Sequence, residues 1–144
     1  MTRLHRLVLS SLGLTLILQG APPELEAKPR ASAATLERGR YLTHDVAMCI
    51  QCHSPRETSG RIRADDVFSG GKIPFERPGW SETWDTSPPD LIALATGDPK
   101  RVRAVLTTGK RPDGTSPNPP MPPFRLAAKD ADAVIAYLQS LDRR

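Results

Sequence analysis

Apolar positions along the chain gather into a few helical stripes separated by long stretches without period, and no run alternates apolar and polar residues as a half-buried strand would. From Thr35, a candidate N-cap, Leu36, Tyr41, Leu42 and Val46 recur at helical spacing and predict a first helix that runs into Cys49. Gly39 would weaken that helix by about 1 kcal/mol if it stood alone, so it marks close contact with another element. Residues 54–86 carry Gly60, Gly70, Gly71, Pro74, Pro78 and Gly79, which break every candidate element and predict one long loop of the kind that is usually functional. Ser87 stands as the cap of a short helix with Pro88 and Pro89 in its opening turn, apolar Leu91, Ile92 and Leu94 after them, and a stop at Gly97.

Asp98 and Pro99 open the next helix, where Val102, Val105 and Leu106 share one face and Lys100, Arg101 and Arg103 take the other, up to Gly109. Six prolines between 111 and 123 impose an extended, stiff backbone with few internal hydrogen bonds. A final helix places Asp130 and Asp132 in its first turns, then the stripe Ala133, Val134, Tyr137, Leu138 and Leu141 before Arg143 and Arg144. The expected fold class is all-α, about four short helices joined by long loops.

Composition adds a missing ingredient to that picture. With 144 residues, 15 prolines and 5% aromatic residues, the chain suits one domain but lacks the side chains for a large self-sufficient core, so a tightly held cofactor is expected to fill part of the interior. The first residues read as an export signal: Arg3 and Arg6 make a basic start and Leu7 to Leu18 an apolar stretch. The alternative, a retained membrane anchor, needs about 20 apolar residues, more than this stretch supplies. The expected organisation is a signal peptide over 1–27, cut between 21 and 33, a linker over 28–34, and one domain over 35–144. Of the small residues at the cut, Ala21, Ala27 and Ala33, only Ala33 closes an A-x-A triplet. Removal of 1–27 takes Arg3 and Arg6 together with Glu24 and Glu26, so the net charge of +4 persists. Basic residues lie scattered among acids rather than clustered with aromatics, which points away from nucleic acid and towards an acidic protein partner.

The chemistry centres on Cys49-Ile50-Gln51-Cys52-His53. Two thiols at this spacing can add to the two vinyl groups of a haem while the adjacent imidazole reaches the iron. Both cysteines of the chain are then used, leaving none for a disulfide. A thiol redox pair would sit beside a βαβ pattern, which is absent, and a zinc site would need further ligands, of which only His5 and His44 remain. For the second axial position three methionines compete: Met1 leaves with the signal, Met48 is tied to the attachment segment, and Met121 stands in Pro119-Pro120-Met121-Pro122-Pro123, where stiff backbone holds a thioether at low entropic cost. A Met that merely fills a gap is the bland reading, and His44 is a weaker competitor for the iron. The site residues are therefore Cys49 and Cys52 for covalent attachment, with His53 and Met121 as axial ligands of one haem c.

The order of these parts, with Ala136-Tyr137-Leu138-Gln139-Ser140-Leu141 after Met121, resembles class I cytochromes c. Gly39-Arg40-Tyr41-Leu42, the run from Thr108 to Gly114, and Met121-Pro122-Pro123-Phe124 look like the cytochrome c domains of bacterial membrane-bound alcohol, aldehyde and gluconate dehydrogenases. Those subunits typically carry three haem motifs where this chain carries one, and it shows Thr86-Ser87-Pro88 in place of their common Asn-X-Thr-Pro. The resemblance implies a haem cupped between helices, the first and last crossing where Gly39 meets Tyr137, and a proline carbonyl that orients the proximal histidine, for which Pro74 is a candidate. The implied function is one-electron transfer in the periplasm, without a substrate site of its own. Expected partners are redox proteins, with an acidic surface on a dehydrogenase or terminal oxidase meeting Lys100, Arg101, Arg103, Lys110 and Arg111; plain solubility is the competing explanation of those charges. Membrane association would come only through a partner or an uncleaved signal. A haem-based peroxidase or gas sensor with an open or displaceable distal ligand is the rival function.

Overall fold

The computed structural model describes residues 30–141; the expected signal over 1–27 and the terminal Arg143 and Arg144 lie outside the described residues. Helix α1 spans Ala33–Tyr41, and its cap is Ser32 rather than Thr35. Ser32 is extended at ψ 154° and its hydroxyl accepts from the Thr35 N–H at 3.2 Å, so Thr35 lies inside the first turn. The helix does not run unbroken into the cysteines. Leu42–Val46 widens into a π turn, Met48 takes the left-handed conformation at φ 48°, and a single new turn, α2, covers Cys49–Cys52. Each residue of a π turn advances less around the axis, which brings adjacent Leu42 and Thr43 both inside and leaves Tyr41 and Val46 about half exposed, at 45% and 50%.

Helix α3 spans Leu91–Gly97 and is capped by Asp90, whose carboxylate accepts from the Ala93 N–H at 2.8 Å. Pro88 and Pro89 stay outside it, contrary to the expectation from Ser87: the residue before a proline is driven out of helical backbone, which excludes Ser87 and Pro88, and the Asp90 carboxylate then supplies the cap. Helix α4, Pro99–Thr108, starts on Asp98 and stops at Gly109, left-handed at φ 69°. Helix α5 spans Ala128–Ser140. Between the helices, 54–86 holds one short 3₁₀ turn at Ala64–Asp66 and an isolated bridge between Arg56 and Ile62, with no strand among the described residues. The architecture is all-α, as the periodicity implied, the fifth helix being the cysteine turn itself.

The core is centred on α5, where Ala131, Val134, Ile135 and Leu138 pack with Leu42, Ala95, Val102 and Leu106. Helix α1 crosses α5 at Gly39, where a Cβ would overlap the carbonyl oxygen of Ala133 and meet Cβ of Tyr137 at 2.5 Å; only glycine lets the backbones come this close. The long loop is less detached than its composition suggests. Phe68 is fully buried in the core, its N–H donating to Ser54 Oγ at 3.0 Å and its carbonyl accepting from the Leu91 N–H at 2.8 Å. Those bonds lay the loop against the start of α3.

Candidate haem site

One wall of α5 faces an interior void instead of side chains. Val134 and Leu138 line a cavity of about 180 Å³ together with Val102, Val105 and Leu106 of α4. A single buried water needs only about 10–15 Å³, so the space is large enough to take a ligand. The sequence motif and the methionine meet there. Cys49 and Cys52 border the cavity from α2 and His53 from the position just after it, and Met121, with Pro120 and Pro122 beside it, borders it from the proline-rich segment. Some 70 residues of chain, by their numbers, separate the two contributions.

His53 is nearly buried, at 6% exposed, and its Nδ1 donates to the carbonyl of Pro89 at 2.9 Å. A carbonyl only accepts, so Nδ1 carries the proton and Nε2 is the basic nitrogen left for a metal. Burial pulls the imidazole pKa below its ordinary value, with the Pro89 bond opposing, and the ring stays neutral as a ligand must. The orienting carbonyl thus belongs to Pro89 and not to Pro74. Gly70 makes that placement possible: at φ 86° it passes so close to Pro88 and Asp90 that a Cβ would lie 2.9 Å from the Pro88 carbonyl oxygen. The resemblance called for a proline carbonyl, but nothing in the pattern of residues singles out Pro89 from the other prolines between His53 and Met121.

The two thiols are free and partly buried. Burial pushes the Cys49 thiol up to about 11 and that of Cys52 up as well, against the opposing Arg56 guanidinium. Reactive redox cysteines are depressed instead, so the pair lacks the character of a thiol oxidoreductase. Among the described residues no three of His, Cys, Asp and Glu gather to hold a metal ion on their own. His44 does not join the cavity; its Nε2 lies 2.9 Å from the Tyr137 hydroxyl, with its ring edge-on to Phe68. Met121 is held in a turn by its N–H to the Asn118 carbonyl at 3.2 Å, and the neighbouring Pro119 carbonyl accepts from the Asp85 N–H at 2.8 Å. The donor set therefore suits a haem: two thiols at one edge, an oriented neutral imidazole, a soft thioether, and apolar walls.

The fold and these walls define a helical protein built around a c-type haem pocket. A family model described as Cytochrome c matches residues 36–142, and the chain belongs to that family, whose members bind haem c covalently and carry electrons. A comparison with curated proteins gives no match. Among the described residues, no helix is long and apolar enough to cross a membrane.

Proposed function

We propose that this is an exported, periplasmic mono-haem cytochrome that shuttles single electrons between redox proteins. The carrying observation is that His53 and Met121 border the same apolar cavity whose edge holds Cys49 and Cys52. In this reading the two cysteines form thioethers and His53 and Met121 are the axial ligands. When bound, the haem supplies a one-electron ferric/ferrous couple. Pro89 keeps the His53 proton on Nδ1, which raises the basicity of Nε2 towards the iron. The prolines around Met121 limit its freedom to leave, and its soft sulfur favours the ferrous state. Apolar Val102, Leu106 and Leu138 exclude water, which works in the same direction.

The likeness of segments 39–42, 108–114 and 121–124 to dehydrogenase cytochrome domains supports a dehydrogenase as donor, with a terminal oxidase as one class of acceptor. Lys100 and Lys110 are exposed and available to an acidic partner face, whereas Arg103 is paired with Asp132 at 3.0 Å. Two measurements test the proposal. Colour should survive acid and organic extraction and be lost in Cys49→Ala with Cys52→Ala; an extractable haem rejects covalent attachment. The ferric protein should show the weak far-red band of sulfur-to-iron ligation, lost in Met121→Ala with haem still attached. Equal binding of carbon monoxide by wild type and Met121→Ala would favour the peroxidase or sensor class instead.

A further inference from the structure

The long loop ends in a compact lobe whose most exposed residue is a tryptophan. The Ile73 N–H donates to the Thr86 carbonyl at 2.9 Å, which closes residues 73–86 into an Ω-shaped loop. Both feet of this lobe border the cavity, through Ile73 and Asp85. Asp85 also ties it to the segment that carries Met121: its N–H donates to the Pro119 carbonyl at 2.8 Å and its carboxylate accepts from Asn118 Nδ2 at 3.2 Å. Midway along the lobe, Trp80 is 81% exposed. The backbone next to it is fixed. The Ser81 N–H donates to the Pro78 carbonyl at 3.0 Å, Ser81 Oγ donates to the Thr83 carbonyl at 2.6 Å, and Arg77 Nη1 donates to the Ser81 carbonyl, with Ser81 itself buried. Phe75, about half exposed, stands edge-on to Trp84 with ring centroids 6.0 Å apart. Scattered apolar side chains are ordinary surface, but an indole set out on a turn held by these bonds is a preformed contact with little order left to lose on binding.

We propose that the 73–86 lobe is a docking element that seats the Trp80 indole in an apolar pocket, rimmed by Lys or Arg, on a protein redox partner. The inference rests on the electron-carrier reading and adds to it a contact distinct from the exposed Lys100 and Lys110. Tryptophan is enriched among the residues that dominate protein interfaces. A partner held there sits against a lobe whose feet border the cavity, which keeps the path for the electron short. Charge selects the kind of pocket. The lobe carries Arg77 against Glu76, Glu82 and Asp85, in a chain of net charge +4. Arg77 is engaged on Ser81 and Asp85 on Asn118, while Glu76 and Glu82 are exposed and in no ion pair or hydrogen bond among the described residues. The carboxylates that flank the indole along the chain are therefore open to cations of a partner. A lipid surface is the poorer fit, since interfacial anchors combine aromatics with free Lys or Arg. A second copy of this chain is also poorer, since two net-positive copies repel.

The test measures electron exchange between the holoprotein and washed membranes of the cells that make it, as oxidation of the ferrous form and as reduction of the ferric form. Trp80→Ala should raise the half-saturating concentration of the protein about tenfold in one of the two directions, the loss expected of an interface anchor. Its melting temperature, its potential and its oxidation by tris-phenanthroline cobalt(III), a small oxidant that needs no docking, should stay as in wild type. Trp80→Phe should lose less, since it keeps an aromatic face. Glu76→Gln with Glu82→Gln should raise the half-saturating concentration about threefold at low ionic strength and flatten its salt dependence. The docking role is overturned if Trp80→Ala stays within about twofold of wild type in both directions. It is also overturned if the small oxidant slows as much, since the indole would then serve the cavity. Sedimentation of wild type but not Trp80→Ala with vesicles of phosphatidylethanolamine and phosphatidylglycerol would make the occupant a membrane, and self-association lost in Trp80→Ala would make it a second copy; either overturns the proposal. An unchanged salt dependence in the glutamine variant overturns the basic rim. A wild type without covalent haem, or one that exchanges no electrons with the membranes, rejects the carrier reading and the docking role with it, a result distinct from the others because each of those is read against an active wild type.

Discussion

Helix α5 has two faces a quarter-turn or so apart, and they are completed in different ways. On one, Ala133 and Tyr137 meet the bare backbone of α1 at Gly39, and the Tyr137 hydroxyl closes on His44. On the other, Val134 and Leu138 look into the cavity bordered by the cysteine motif and Met121. The first face is finished by the chain itself, through close approach and hydrogen bonding. The second is left for a ligand, so its share of the stability follows ligand binding rather than side-chain packing. Two adjacent stripes of one helix therefore report on different things, and substitutions can tell them apart.

The largest effect is expected from the cavity face. Preventing haem attachment with Cys49→Ala and Cys52→Ala should remove most of the roughly 5–15 kcal/mol that holds a small domain, leaving helical far-ultraviolet dichroism but no cooperative unfolding. A haem-free protein that still unfolds cooperatively near the wild-type midpoint would show that the cavity face is self-supporting. Next comes the crossing face. Gly39→Ala forces α1 off α5 and should cost about 1–3 kcal/mol in denaturant titration of the holoprotein, with the spectrum of the haem unchanged. A spectral change as large as the stability loss would mean that the two faces are not separable.

A smaller effect should come from His44. Burial first, and then the Arg40 charge, hold its pKa below the ordinary value, against Asp45. The unfolded chain therefore takes up the proton first as pH falls, and stability is complete above about 6.5 and lost as pH drops from there towards the lowered folded value. His44→Gln should flatten that part of the pH dependence, measured as the difference from wild type in unfolding midpoint. The smallest effect belongs to the exposed pair at the end of the crossing, where Arg38 Nε lies 2.9 Å from Asp130 Oδ1. Asp130→Asn should barely move the melting temperature, and what it moves should vanish in high salt.

The sequence by itself determined the helical class, because the stripes of α4 and α5 have a period that only a helix can bury on one side. It also determined the chemistry at one wall of the site, since the Cys49, Cys52 and His53 spacing is local and survives in any fold that exposes it. Met121 was legible as a candidate by elimination and by its prolines, and the structure brings it to the cavity, while Gly39 was legible by its cost in an isolated helix. What required the tertiary structure was everything set by close approach between distant segments. The start of α3 moved to Asp90 because Pro88 and Pro89 bias the backbone before them, while the part Pro89 plays comes from its carbonyl, which carries no side-chain signature. Phe68 looked like a loop residue because its neighbours are turn formers, yet a single left-handed residue at φ 64° turns it into the core. Arg101 and Arg103 read as one basic face; the three-dimensional arrangement separates them, sending one to Asp132 and the other to the cavity, because charge is visible in a sequence and the partner it meets is not.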